Sequence, residues 1–268
     1  MKTICTINMK GGVGKTTVSV GLAYELSKSF GKNVLLIDTD PQANATLLIL
    51  QEEEFGKLDL ARKTLADIFE KKRRGLMGEK DQLSLLDIII ENPWKITTGK
   101  MDLVPSSIRL FESKLLLTQM TFSEDFIKNK LATIATNHYD FCIIDSPPDF
   151  DKLVVSCLTA SDYYIVPIRP DYMSQQGLVV LNNKLEDIKS HVNCESIGYI
   201  ISLIPPTRSL YHKNVITELK NVYGSEAFLA EIKERQNYSI WPSTHKPLSN
   251  KEDRSPFVEI AAKIIERC

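Results

Sequence analysis

The chain has 268 residues, with 33 lysines and arginines against 34 aspartates and glutamates, a formal net charge of −1 and 43% hydrophobic residues. That length and apolar content suit one enzyme-sized domain with a substantial core, and the lack of repeats, low-complexity tracts and Pro/Ser-rich hinges argues against a linked array. No apolar run is long enough to span a bilayer, and a strand starting at Thr3 leaves no room for a signal peptide, so a cytosolic setting is expected.

The first strand-like run, Thr3-Ile4-Cys5-Thr6-Ile7, leads into Lys10-Gly11-Gly12-Val13-Gly14-Lys15-Thr16-Thr17 and then a helix from near Thr16 through Leu22, Ala23, Leu26 and Phe30. Strand, glycine-rich turn and helix in that order build a phosphate-binding loop. The glycines let backbone N–H groups turn inward around phosphate oxygens, and the helix N-terminus adds partial positive charge. On that pattern Lys15 reaches the β- and γ-phosphates, and the Thr16 hydroxyl is placed to hold Mg²⁺. The loop is a deviant one, because G-x-x-x-x-G-K-[ST] requires glycine where Met9 stands. A dinucleotide G-x-G-x-x-G reading fails on spacing and leaves the Lys-Thr pair without a role.

A second apolar strand, Val34-Leu35-Leu36-Ile37, ends in Asp38-Thr39-Asp40-Pro41-Gln42-Ala43-Asn44, which sets two carboxylates at the carboxyl edge of a parallel sheet beside the phosphate loop. Read alone, Asp38 could also simply cap a turn. About sixty residues separate this segment from the next strand, so a helical insertion near residues 51–100 is expected, and its basic run Lys71-Lys72-Arg73-Arg74 reads better as a solvated helix end than as a binding patch. Asp102-Leu103-Val104-Pro105-Ser106-Ser107 then holds a short strand, followed by helices through Leu110, Leu115 and Leu117 and through Phe126, Ile127, Leu131, Ile134 and Ala135.

The run Phe141-Cys142-Ile143-Ile144-Asp145-Ser146-Pro147-Pro148 is a buried strand whose last residue emerges at the same edge, so Asp145 should reach Mg²⁺ through water. Tyr163–Ile168 and Gly198–Ile204 are further strands, separated by a helix around Leu178, Val179, Leu181 and Ile188, and Pro256–Arg267 reads as a core helix of balanced charge. The alternation implies a three-layer α/β/α domain over residues 1–268: a mainly parallel, twisted sheet with helices on both faces. Cys5, Cys142, Cys157, Cys194 and Cys268 lack paired spacing, and Cys5 and Cys142 read as small buried hydrophobes.

These motifs together resemble the ParA/MinD family of deviant Walker A ATPases, the SIMIBI class of P-loop NTPases, whose hallmark K-G-G-x-G-K-[ST] is matched by Lys10 to Thr16. The resemblance covers almost the whole chain and implies ATP and Mg²⁺ as cofactors. It implies that Lys10 crosses a dimer interface to the partner's ATP, that Asp40 is a general base or positions the attacking water, and that Asp38 supports the Mg²⁺ shell beside Thr16 and Asp145. Phosphate contacts would come from Lys10, Gly11, Gly12, Val13, Gly14, Lys15, Thr16 and Thr17. Adenine would lie between the segment containing Pro205 and Pro206 and the Ile232–Arg235 loop, although Lys233-Glu234 departs from the family's I-P-R-N there. Asp171, Tyr172, Ser174 and Gly177 match the helix that flanks the dimer interface in relatives, and Thr64–Phe69 looks like a family helix.

Within that resemblance, the D-x-D-P-Q-x-N segment favours the ParA/Soj branch: an ATP-dependent homodimer that binds non-specific DNA, answers to a ParB-like centromere-binding protein and associates with the nucleoid. Residues 201–268 carry ten Lys/Arg against eight Asp/Glu, so bulk charge does not by itself demonstrate DNA binding; Arg208, Lys213, Lys220, Lys246, Lys251 and Arg254 are the candidate contacts. The alternatives are a membrane-cycling MinD-like ATPase, disfavoured by the balanced C-terminal helix, and a positioner of protein cargo or a nucleotide switch. The missing cysteine pairs argue against iron–sulfur relatives.

Overall fold

The computed structural model describes residues 1–76, 83–119, 124–134, 138–207 and 209–268. The apolar strand runs become β1 (Lys2–Thr6), β2 (Asn33–Asp38), β3 (Lys100–Val104), β4 (Phe141–Asp145), β5 (Tyr163–Ile168), β6 (Glu195–Ile204) and β7 (Phe228–Lys233), ordered β3-β2-β4-β1-β5-β6-β7 and paired in parallel. Parallel strands buried on both faces need no polar alternation, which is why their sequences read as continuous Val/Ile/Leu runs. Pro167 stands inside β5, yet β1 has already ended its pairing at Ile165, and the Pro167 carbonyl instead accepts a hydrogen bond from Asn8 Nδ2.

Strand side chains alternate between two cores. Leu35, Ile37, Cys142 and Ile144 face one side, and Val34, Leu36 and Ile143 face the other. The first side is covered by α4 (Leu65–Leu76), α5 (Leu110–Gln119), α6 (Phe126–Leu131), α7 (Lys152–Thr159), α8 (Tyr172–Ile188) and α9 (Leu210–Tyr223). The second is covered by α1 (Lys15–Lys28), α2 (Asn44–Ile49), α10 (Gln236–Thr244) and α11 (Lys251–Arg267). The chain is thus the expected three-layer α/β/α sandwich.

Two helical expectations are trimmed. The segment expected to be helical to Ala135 ends as a helix at Leu131, and Ala135 lies outside the described residues. Residues 51–100 contain a further helix, α3 (Glu52–Leu60), then α4, a single 3₁₀ turn at Leu85–Asp87 and an irregular stretch. The Lys71–Arg74 run falls in α4, but its side chains lie outside the described residues. The stretch is anchored by Trp94, which stacks at 6.3 Å on Trp241, meets Tyr24 edge-on at 5.5 Å and donates from Nε1 to the His245 carbonyl at 3.1 Å.

The C-terminal segment is a core helix: Phe257, Ile260, Ala261 and Ile264 of α11 are buried against α1. The helices approach so closely that a Cβ built on Gly21 of α1 would lie 2.5 Å from Phe257 Cδ1, whereas one on Gly56 of α3 meets nothing within 4 Å. Gly21→Ala should therefore lower stability by about 1–3 kcal/mol through overpacking, while Gly56→Ala should raise it by about 0.5–1 kcal/mol through helix propensity. Thermal denaturation of the two variants reads both signs, and equal shifts would refute the packing argument.

Candidate phosphate-binding site

The loop between β1 and α1 is shaped by Gly12 and Gly14, with φ of +71° and +84°, and Gly14 forms the left-handed N-cap of α1. Side chains hold it from three directions. Asn8 Oδ1 accepts from the Lys10 N–H at 2.9 Å, Asn8 Nδ2 donates to the Pro167 carbonyl at 2.7 Å, and Ser202 Oγ donates to the Val13 carbonyl at 2.6 Å. The last contact needs an irregularity in β6, where the register slips between Ile201 and Ile204 and Leu203 takes a φ of +51°. A branched side chain in the left-handed region is strained, and here it brings β6 against Gly14.

Lys15 turns inward. Its Nζ donates to the carbonyls of Asn8 at 3.0 Å and Lys10 at 3.3 Å. Burial pulls its pKa down, opposed by the carboxylates of Asp145, Asp40 and Asp149.

The expected carboxylates converge beside it. Asp38 and Asp145 are register partners at the ends of β2 and β4. Asp38 accepts from the backbone N–H and hydroxyl of Thr46, at 2.8 and 2.7 Å, and from the Asp40 N–H at 3.1 Å. Asp145 accepts from Thr16 Oγ1 at 2.8 Å and Ser19 Oγ at 2.9 Å. Burial raises both pKa values above the usual carboxylate range, and for Asp38 the neighbouring charge of Asp145 adds to the rise. Asp40 Oδ1 accepts from the Gln42 N–H at 2.9 Å, and its carbonyl accepts from Ser106 Oγ at 2.7 Å.

Lys15, Thr16 and Asp40 line a cavity of about 470 Å³ together with Gly11, Gly12, Gly14, Thr17, Gln42, Asn44, Leu47, Leu48, Pro148 and Pro242, whereas Asp38 and Asp145 are fully buried outside that lining. The donor set suits a hard cation shared with an anionic ligand: the Thr16 hydroxyl, bonded to Asp145, two buried carboxylates, and no group of three or more His/Cys/Asp/Glu among the described residues that would hold a metal alone.

Lys10 lies outside that lining. Its Nζ binds Asp171 Oδ1 and Oδ2 at 2.7 and 2.9 Å and Ser174 Oγ at 3.1 Å, with its side chain one-third exposed. Asp171 also caps α8 through the Ser174 N–H, and although its partial burial acts upward, the Lys10 and Ser174 bonds hold its carboxyl below the ordinary range.

Pro205 and Pro206 follow β6 and do not line this cavity, but the Glu234 N–H donates to the Ile204 carbonyl at 2.7 Å, which brings them beside the 233–235 loop. Of the surface cations, Lys220 pairs with Glu231 at 2.9 Å and Arg254 is bidentate on buried Glu25 at 2.6 and 2.9 Å, so both have structural work. Arg208 lies outside the described residues. Thr46, Ser106, Ser19, Asn8 and Ser202 were not singled out from sequence; only Thr46, eight residues after Asp38, carried a local signal.

A P-loop, two strand-end carboxylates and a parallel sheet define a nucleoside-triphosphate-binding α/β protein, and comparison with known proteins narrows that class. A family model described as an AAA domain matches residues 1–197. The sporulation initiation inhibitor protein Soj of Bacillus subtilis is 32% identical over 262 residues, covering 97% of this chain and 94% of Soj. The chromosome partitioning protein ParA of Caulobacter vibrioides is 28% identical, covering 92% and 86%. In fold, the chain matches McdA of Cyanothece with a TM-score of 0.80 at 21% identity, covering 98% and 99%. It also matches a plasmid partition protein of Borrelia burgdorferi bound to AMPPNP, with a TM-score of 0.80 at 24% identity, covering 100% and 99%. The chain belongs to the ParA/MinD family of P-loop ATPases.

Thr46 is the joint of the carboxylate cluster: its hydroxyl donates to Asp38 and accepts from the Ser106 N–H at 2.9 Å. Thr46→Val keeps the shape, leaves the buried Ser106 N–H unpaired and takes one of three bonds from buried Asp38, so it should destabilise the fold by about 1–3 kcal/mol. Urea denaturation reads this, and an unchanged midpoint would refute it.

Proposed function

We propose that the chain is a ParA-type partition ATPase that hydrolyses ATP to ADP and phosphate. The observation that carries this reading is the different placement of the two loop lysines: Lys15 lines the cavity, whereas Lys10 stands outside its lining, bound to Asp171 with its side chain one-third exposed. ATP would be held by the backbone of Gly11, Gly12, Val13 and Gly14 with Lys15 and Thr17, and its base by the Pro205–Pro206 side. Mg²⁺, held by Thr16 with Asp38 and Asp145, would supply charge neutralisation across the β- and γ-phosphates. Asp40 would orient the attacking water. In the ATP-bound homodimer, Lys10 would leave Asp171 for the partner's phosphates, so dimerisation has to outweigh one partly exposed ion pair, a contribution of about 1 kcal/mol or less.

On this reading the ATP dimer binds non-specific DNA and associates with the nucleoid, and a ParB-like partner stimulates hydrolysis and release. Lys213, Lys246 and Lys251 are the remaining described DNA candidates. A second reading, a positioner of protein cargo, draws on the engagement of Lys220 and Arg254 in ion pairs, which thins the basic patch. The burial of α11 counts against a membrane-cycling variant, since its apolar side faces α1.

Lys15→Ala should weaken ATP binding about a hundredfold, through loss of charge-assisted bonds. Lys10→Ala should keep binding and lose ATP-dependent dimerisation, and Asp40→Ala should accumulate the ATP dimer. Nucleotide titration and sedimentation velocity read these three outcomes; a Lys10→Ala chain that dimerises normally refutes the trans role. A gel shift on non-specific DNA in ATP against ADP tests the DNA-binding part of this reading, and no ATP-dependent shift would refute it.

A further inference from the structure

The loop after β4, Ser146 to Asp151, carries two carboxylates that have no part in the proposed chemistry. Both converge on one ammonium. Lys114 of α5 reaches Asp149 Oδ2 at 2.7 Å and Asp151 Oδ2 at 2.8 Å, while its own side chain is only 12% exposed. Asp151 spends its other oxygen capping α7, accepting from the Leu153 and Val154 N–H groups. Asp149 makes no such capping bond among the described residues, its side chain is 62% exposed, and its charge is felt at Lys15. Its neighbour Pro148 lines the phosphate cavity. The loop is also gripped from the opposite side, where Lys184 of α8 lies 5.6 Å above the Phe150 ring.

We propose that Lys114 is a positioning residue for the terminal phosphate: by binding Asp149 and Asp151 together it fixes the loop and cancels carboxylate charge that would otherwise face the triphosphate. This rests on the nucleotide reading of the site. Without Lys114, the charge of Asp149, beside the cavity-lining Pro148, adds to that of Asp40 in the lining and of Asp145 bonded to Thr16, and all three act on Lys15, the one lysine in the lining. A phosphate chain entering there meets repulsion that grows with its own charge. Because Asp149 is largely exposed, water and salt screen it, and the effect is a few-fold change rather than orders of magnitude. Ordinary packing damage behaves differently, since it weakens ATP and ADP alike, ignores salt and is not mended by removing a second charge.

The test measures binding of fluorescent ATP and ADP analogues, with Mg²⁺, to the full chain at low and high salt. Lys114→Met should weaken ATP binding about fivefold at low salt, and ADP binding less, with the gap closing at high salt. Lys114→Arg should stay near wild type, and adding Asp149→Asn to Lys114→Met should recover most of the lost ATP affinity. Equal loss for both nucleotides, or no recovery in the double variant, overturns the proposal. If Lys114→Met does not fold, Asp149→Asn alone decides: it should tighten ATP binding about twofold at low salt, and unchanged affinity overturns the proposal. Wild-type chain that binds neither analogue overturns the nucleotide reading itself, and this proposal with it.

Discussion

The site is organised by one electrostatic constraint: Asp38 and Asp145 end neighbouring parallel strands in register and are both buried. Two like charges without water cost several kcal/mol unless bonded and compensated. The surroundings answer that cost in layers. Thr46, Thr16 and Ser19 donate hydroxyls, the Asp40 and Thr46 backbone N–H groups add two more bonds, and Lys15 supplies the nearby ammonium. The order β2-β4-β1 then follows as a functional requirement, since only adjacent strand ends bring the loop after β1 to both carboxylates.

The two lysines of the loop show how position alone divides one residue type into two roles. Lys15 begins α1 and must bury its stem, so its ammonium is satisfied by the loop's own carbonyls. Lys10 lies at the outer turn, where the nearest anion is the capping aspartate of α8. A partly exposed ion pair of this kind contributes little, whereas the Lys15 contacts are buried. The same distinction sets Arg254 apart, since it is locked on buried Glu25.

Much of this was legible in the sequence because it is local. The apolar runs ending at Ile168 and Asp145 became strands with those limits, and the glycine turn, D-x-D segment and C-terminal helix stand where their patterns put them. What could not be read is pairing across long sequence separation. Nothing near Lys114 announces Asp149 and Asp151, and nothing near Arg109 announces that it binds both Asp59 and Asp67 and so ties α3 and α4 to the start of α5. Lys220 and Arg254 looked like free surface cations for the same reason. The short α6 was overextended because periodicity does not report where the chain turns away from the core.

The charge distribution around the cavity also says what must accompany an anionic ligand. Lys15 is the one lysine in the cavity lining among the described residues, Lys10 is bound to Asp171, and Lys114 is bound to the loop after β4. The backbone N–H groups of the loop and the N-terminus of α1 offset only a fraction of a triphosphate's charge. On the proposed reading the balance comes from a divalent cation at the carboxylates, and the ammonium that a second copy would bring adds to assembly rather than to nucleotide binding itself.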